Sequence, residues 1–177
     1  MVRMLRYSGK YLLPLLFISG CEVYPFVTGS DGISPHGYQT LKSRIILESF
    51  NTSNYKTITS YRHLEIIFNQ VKGRFNYVTD RELYGVNEYW LAMSEVPDGD
   101  FFGDCEDFAM AVLKKLHQHR INGNLVFVRV GDGTYHIVVA VGNWILDNRR
   151  NSPVLKNQLD YEYISMLMND GMWRKIE

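Results

Sequence analysis

The spacing of apolar residues changes once and sharply, at Asn122-Gly123-Asn124. Before that point Phe108, Val112, Leu113 and Leu116 recur at helical spacing, which predicts a helix from Cys105 to about His119. After it come three β runs: Leu125 to Val130 (LVFVRV), Tyr135 to Val141 (YHIVVAV) and Trp144 to Asp147 (WILD). Gly131-Asp132-Gly133 separates the first two. Gly142-Asn143 separates the others and fits a two-residue hairpin turn. A helix with one apolar stripe, followed by an antiparallel meander, buries the stripe on the sheet. The fold class is therefore α+β.

Upstream segments are helical or irregular. Leu41, Ile45 and Ile46 predict a helix from Tyr38 to about Phe50, and Asn51 to Ser60 reads as a loop. Leu64, Ile67, Phe68 and Val71 predict a second helix, with Phe75 continuing the series. Thr79-Asp80-Arg81-Glu82 is a capping-box pattern that opens a short helix. Trp90 to Asp100 is irregular around Pro97 and Gly99. Tyr161 to Met168 reads as a helix, and Gly171-Met172-Trp173 closes the chain. A chain of 177 residues suits one domain.

The first residues stand apart. Arg3, Arg6 and Lys10 precede a short apolar run, Tyr11 to Ile18, that contains Pro14 and is too short to span a bilayer. Ile18-Ser19-Gly20-Cys21 then looks like a bacterial lipoprotein cleavage box. The expected organisation is a signal peptide over 1–20, lipidated Cys21, a Gly- and Pro-rich tether over 21–37, and a catalytic domain over 38–177. The competing reading is a buried N-terminal helix with an incidental cysteine. Loss of the three basic residues leaves sixteen basic against nineteen acidic side chains, about −3. No basic stripe is present, so nucleic acid is not an expected partner. The chain has two cysteines. If Cys21 carries a lipid it cannot pair, and Cys105 is a lone thiol in an oxidising compartment. Glu22 rather than Asp follows Cys21, which by analogy with bacterial sorting favours the outer membrane over the inner. A monomer facing the periplasm is expected.

Cys105 begins its helix, where the free N–H groups and the macrodipole favour a thiolate and could hold an oxyanion. Asp104, Glu106 and Asp107 oppose this unless they are solvated, neutralised or bound to a cation. They could equally cap and solvate the helix start. By itself such a Cys is commonly a small buried apolar residue.

His136 adds weight. A two-residue loop at Gly142-Asn143 places Val141 opposite Trp144 and Val138 opposite Asp147. Alternation then puts His136 and Asp147 on one face, diagonally across the hairpin. A helix-start Cys, a strand His and a carboxylate holding that His make a nucleophile, base and orienter. A one-residue change in loop length would reverse the parity. His117 and His119 lie two apart on a helix and share no face, so no zinc spacing is apparent. His63 falls on the second helix and His36 in the tether.

Several segments, taken in order, resemble the bacterial transglutaminase-like cysteine proteases of the LapG type. Phe102-Gly103-Asp104-Cys105-Glu106-Asp107-Phe108-Ala109 resembles the family's GDCED(Y/F)A stretch. Phe68-Asn69-Gln70 and Asp80-Arg81-Glu82-Leu83-Tyr84-Gly85 resemble an upstream segment, and Tyr89 to Glu95 resembles YWATPxE. Tyr135-His136-Ile137-Val138-Val139, Leu146-Asp147-Asn148 and Gly171-Met172-Trp173 resemble later ones. The likeness spans about residues 65 to 173.

It implies a papain-like, transglutaminase-like fold with Cys105, His136 and Asp147 as the triad, and Trp90 and Tyr135 beside the substrate cleft. It also implies calcium held through Asp104, Glu106 and Asp107, with no organic cofactor. The expected activity is cleavage of a protein at the membrane surface through an acyl-enzyme. Met93-Ser94 departs from the family's Thr-Pro, so substrate preference does not carry over. Two other activities fit the residues: thiol acyl transfer to amines, and non-catalytic binding by a lipoprotein.

Overall fold

The computed structural model describes residues 25–28, 32–35, 59–168 and 170–177. The signal segment, Cys21, His36 and the helix expected over 38–50 lie outside the described residues. Strands β1 (Pro25–Thr28) and β2 (Gly32–Pro35) pair antiparallel, and β2 runs beside the two C-terminal strands. This corrects the reading of 21–37 as a plain tether. Gly and Pro conceal the strand pattern there, and pairing supplies what local propensity lacks.

Helix α1 (Tyr61–Lys72) starts at Ser60, whose hydroxyl accepts from the His63 N–H at 3.3 Å. It buries Leu64, Ile67, Phe68 and Val71, the predicted stripe. Phe75 does not extend the helix. It opens β3 (Phe75–Tyr77), which pairs in parallel with β4 (Phe101–Gly103), and its ring packs on Phe101 and Phe108. Helix α2 (Asp80–Tyr84) carries the expected capping box between Thr79 and Glu82. It ends at Gly85 with φ 73°, a left-handed conformation that suits glycine.

Helix α3 (Cys105–Gln118) buries Phe108, Val112, Leu113 and Leu116 as its spacing predicts. It packs against β6 of a six-stranded antiparallel sheet. That sheet comprises β5 (Asn124–Val130), β6 (Tyr135–Val141), β7 (Trp144–Leu146), β8 (Val154–Leu155), β9 (Tyr161–Leu167) and β10 (Trp173–Lys175), in the order β10-β9-β5-β6-β7-β8. The β6–β7 register sets Val141 opposite Trp144 and Val139 opposite Leu146, so the loop is two residues long.

The helix expected over Tyr161 to Met168 is instead strand β9. It pairs with β5 on one side and β10 on the other. A bulge explains the misreading. Val128 faces Tyr163 while Phe127 faces Ser165, leaving Ile164 as an extra residue. Tyr161, Tyr163 and Met166 then pack on one face, while Ile164 and Leu167 join the core on the other. The bulge turns a two-residue period into spacings of two and three, which mimic a helix. Helices α1 and α3 and sheet residues such as Ile137, Val139 and Leu146 form the main core. Val126, Val128, Val138 and Ile145 form a smaller cluster on the opposite sheet face.

Candidate active site

His136 and Asp147 meet as the hairpin parity requires. Both are fully buried, and His136 Nε2 lies 2.8 Å from Asp147 Oδ1. An ionised carboxylate only accepts, so Nε2 carries the proton and donates. The Arg149 backbone N–H also donates to Oδ1, at 2.8 Å, and the Tyr161 hydroxyl donates to Oδ2 at 2.6 Å. Burial works against the charge on Asp147. His136, Tyr161 and the Arg149 N–H outweigh it and hold the carboxyl at about 2. The same burial and the Asp147 charge raise Tyr161 to about 12, so its hydroxyl remains a donor at neutral pH. The other ring nitrogen, His136 Nδ1, is buried and has no hydrogen-bond partner among the described residues. That leaves an in-plane lone pair on the edge of the ring away from Asp147.

Lys72 Nζ donates to the Asn148 carbonyl, tying the segment after Asp147 to the end of α1. Burial lowers the Lys72 pKa, and the charge of Asp147 partly restores it.

Cys105 is the first residue of α3 and is fully buried. Its Sγ lies 3.4 Å from Glu106 Oε2. Cys105 is disulfide-bonded in this structure, contrary to the expectation of a lone thiol. Nucleophilic chemistry at Sγ belongs to the reduced side chain.

The acids flanking Cys105 are not a solvated cap. Asp104 sits at the N-cap position and makes no capping hydrogen bond, and Asp104, Glu106 and Asp107 are all buried. Asp104 and Glu106 converge with Cys105 Sγ within 4.8 Å, and acids from outside this stretch join them. Carboxylate oxygens of Asp104 and Asp107 converge with Asp80 within 4.8 Å, and those of Glu106 converge with Asp80 and Glu88 within 4.8 Å. Asp80 Oδ1, Asp104 Oδ1 and Asp107 Oδ2 are buried oxygens that accept no hydrogen bond among the described residues.

The acids strain against their own charge. Burial, then Asp104 and Asp80, pushes Asp107 up to about 8. Burial, then Asp104, raises Asp80 to about 6. Burial also drives Glu106 well above the carboxylate range and raises Asp104, although the nearby His136 and hydrogen bonds oppose the shift at Asp104. Unsatisfied, buried oxygens from several acids fit a hard divalent cation, which takes oxygen ligands. The family resemblance pointed to Asp104, Glu106 and Asp107 as cation ligands. It missed Asp80, which the capping-box pattern marked only as the start of a helix, and Glu88, which lay in no motif.

Gly103 leaves room for one of these acids. A Cβ there would overlap the Asp107 carboxylate, which folds back against the glycine. Trp90, expected beside the cleft, is 3% exposed and belongs to the core, with its indole N–H donating to Glu88 Oε2 at 3.3 Å. It holds an acid of the cluster and offers no surface to a substrate. Tyr135 is half-buried and stacked on Phe127. The accessible aromatic nearest in sequence to Cys105 is Phe102, 54% exposed.

Residues 42–177 match the family described as bacterial transglutaminase-like cysteine proteinase. Legionella pneumophila LapG, EGTA-treated, superposes with a TM-score of 0.55 at 18% identity, over 87% of this chain and 89% of that one. The calcium-bound form of Legionella pneumophila LapG gives 0.50 at 20% identity, over 77% and 90%. No curated protein matches the chain in sequence. The likeness to the solved structures is one of fold, and it agrees with helices packed on an antiparallel sheet.

Proposed function

This chain belongs to the bacterial transglutaminase-like cysteine proteinases and is accordingly a cysteine protease, and we propose that it cleaves a protein substrate through Cys105, His136 and Asp147. The observation that carries the assignment is the 2.8 Å bond from buried His136 Nε2 to Asp147 Oδ1, which leaves Nδ1 as the basic nitrogen. Reduced Cys105 gives its proton to Nδ1 as Sγ adds to the scissile carbonyl. Asp147 stabilises the imidazolium without taking its proton. The backbone N–H groups at the start of α3 face the developing oxyanion. His136 then protonates the leaving amine, the C–N bond breaks, and a thioester remains. A water, deprotonated by Nδ1, hydrolyses it and frees the thiol.

Calcium fits the acid cluster, with Asp80, Asp104, Asp107 and Glu106 as ligands and Glu88 beside them. Bound there it would offset the negative charge next to the nucleophile.

The reading extends to location. Residues 1–20 act as a signal, Cys21 carries a lipid, and the domain works as a monomer at the periplasmic face of the outer membrane, without nucleic acid. Cys21 is the chain's only other cysteine. Acylating it removes the one intramolecular partner available to Cys105, so lipidation keeps the nucleophile reduced.

Two measurements test this. Cys105→Ala should abolish release of new amino termini from a sensitive protein; full activity in that variant would sink the triad. Chain bearing the lipid should be active without reductant, while unlipidated chain should need it. Equal activity of both without reductant would remove the link to the anchor. Incorporation of an added amine in preference to hydrolysis would redirect the assignment to acyl transfer.

A further inference from the structure

His63 and His119 lie 56 residues apart in sequence and meet where α1 begins and α3 ends. His63 Nε2 is 3.3 Å from His119 Nδ1, and the ring centres are 5.1 Å apart with planes at 86°. We propose that this pair is a transition-metal site, taking zinc or a similar divalent ion, separate from the acid cluster and independent of the catalytic assignment.

Geometry carries the argument. Two imidazoles on one tetrahedral ion, with bonds of about 2.0–2.1 Å, hold their nitrogens about 3.3 Å apart and their ring centres about 5.2 Å apart. Both separations match those found. A head-on hydrogen bond at the same nitrogen distance would push the ring centres out to roughly 5.6 Å, given the linear geometry such bonds prefer. The observed 5.1 Å is shorter, so the rings are inclined to the line that joins the two nitrogens.

The surroundings are compatible with the required tautomers. Thr59 Oγ1 lies 3.5 Å from His63 Nδ1, on the far side of the ring. With the His63 proton on Nδ1, directed at that hydroxyl, Nε2 presents a lone pair. Metal binding then needs only that His119 carry its proton on Nε2, with no net proton loss. No carboxylate or thiol among the described residues joins the two histidines in a three-ligand group. Water fills the remaining positions, and the ion exchanges readily.

The site lies at the opposite end of α3 from Cys105. Over the 14 residues of the helix that is roughly 20 Å at about 1.5 Å per residue. An ion there ties the first turn of α1 to the last turn of α3, the two helices that pack the main core beneath the nucleophile.

The test uses the full chain carrying Cys21→Ser and Cys105→Ser, in saturating calcium, so that neither thiols nor the acid cluster compete. Zn2+ is titrated by calorimetry and Co2+ by visible absorption. One Zn2+ should bind with a rise in melting temperature, and Co2+ should show the intense bands of a tetrahedral complex. His63→Gln and His119→Gln should each weaken binding at least tenfold, while His117→Gln should not. Absence of binding in the parent, or undiminished binding in His119→Gln, overturns the site. His119 is exposed, so its variant decides the matter even if His63→Gln disturbs the start of α1.

Discussion

Tyr161 donates a 2.6 Å hydrogen bond to Asp147 Oδ2, the carboxylate oxygen that His136 leaves unused. One side chain from β9 thereby fixes the orienter of a hairpin two strands away. Tyr161→Phe removes a hydrogen bond to a charged group, of about 1.5–3 kcal/mol. We expect kcat to fall about tenfold or more, with KM little changed. The acid limb of the rate profile should move as well, because a less firmly held Asp147 supports the imidazolium less. A change in KM alone would argue that Tyr161 contacts substrate instead.

Stability should respond to acid through Asp147. Its folded pKa, about 2, lies below the unfolded value of about 3.9. The unfolded chain therefore binds the proton first. The contribution is complete above about pH 4 and is lost as pH falls toward 2, on the order of 2 kcal/mol in all. Asp147→Asn should lower stability at pH 7 and flatten this acid limb. Urea midpoints from pH 2 to 6 measure both.

Asp80 should matter to cation binding as much as the acids beside the nucleophile. Asp80→Asn is expected to weaken calcium binding at least tenfold, as Asp104→Asn should, by calorimetry. The pH dependence has a defined sign. Without the cation, Asp107 at about 8 and Asp80 at about 6 retain protons that the unfolded chain has released. Stability then falls as pH rises from about 4 to 8. Calcium should abolish that slope and release protons on binding near pH 7. A calcium heat independent of buffer ionisation enthalpy would contradict this.

Gly103→Ala should damage the site without replacing any proposed ligand. The new Cβ meets the Asp107 carboxylate. We expect a destabilisation of about 1–3 kcal/mol, typical of overpacking, and weaker calcium binding. Gly133→Ala is the comparison. Nothing lies within 4 Å of a Cβ there, although its φ of 86° still strains alanine. It should lower stability while leaving calcium affinity unchanged.

Much of this protein is local and so is readable from order and spacing. The stripes of α1 and α3, the Thr79–Glu82 capping box and the two-residue loop at Gly142-Asn143 each depend on residues a few positions apart. The pairing of His136 with Asp147 belongs to the same class. A short loop fixes its own register, and register fixes which side chains share a face.

What escaped the sequence depends on partners brought from afar. Strand β9 read as a helix because the bulge at Ile164, set by pairing with β5, shifted its period. Tyr161 was hidden with it. Asp80 and Glu88 reach the acids of α3 only because β3 lies against β4 and sets α2 beside the start of α3. His63 and His119 meet only through the packing of α1 on α3. The sequence by itself determined the hairpin, the helix that starts at Cys105 and the histidine–carboxylate pair, since hydrogen-bond register and helical period are short-range. Tertiary structure alone decided how many acids share one buried volume, which hydroxyl anchors Asp147 and which histidines touch, because burial and charge at each of these sites are sums over segments that the chain order does not bring together.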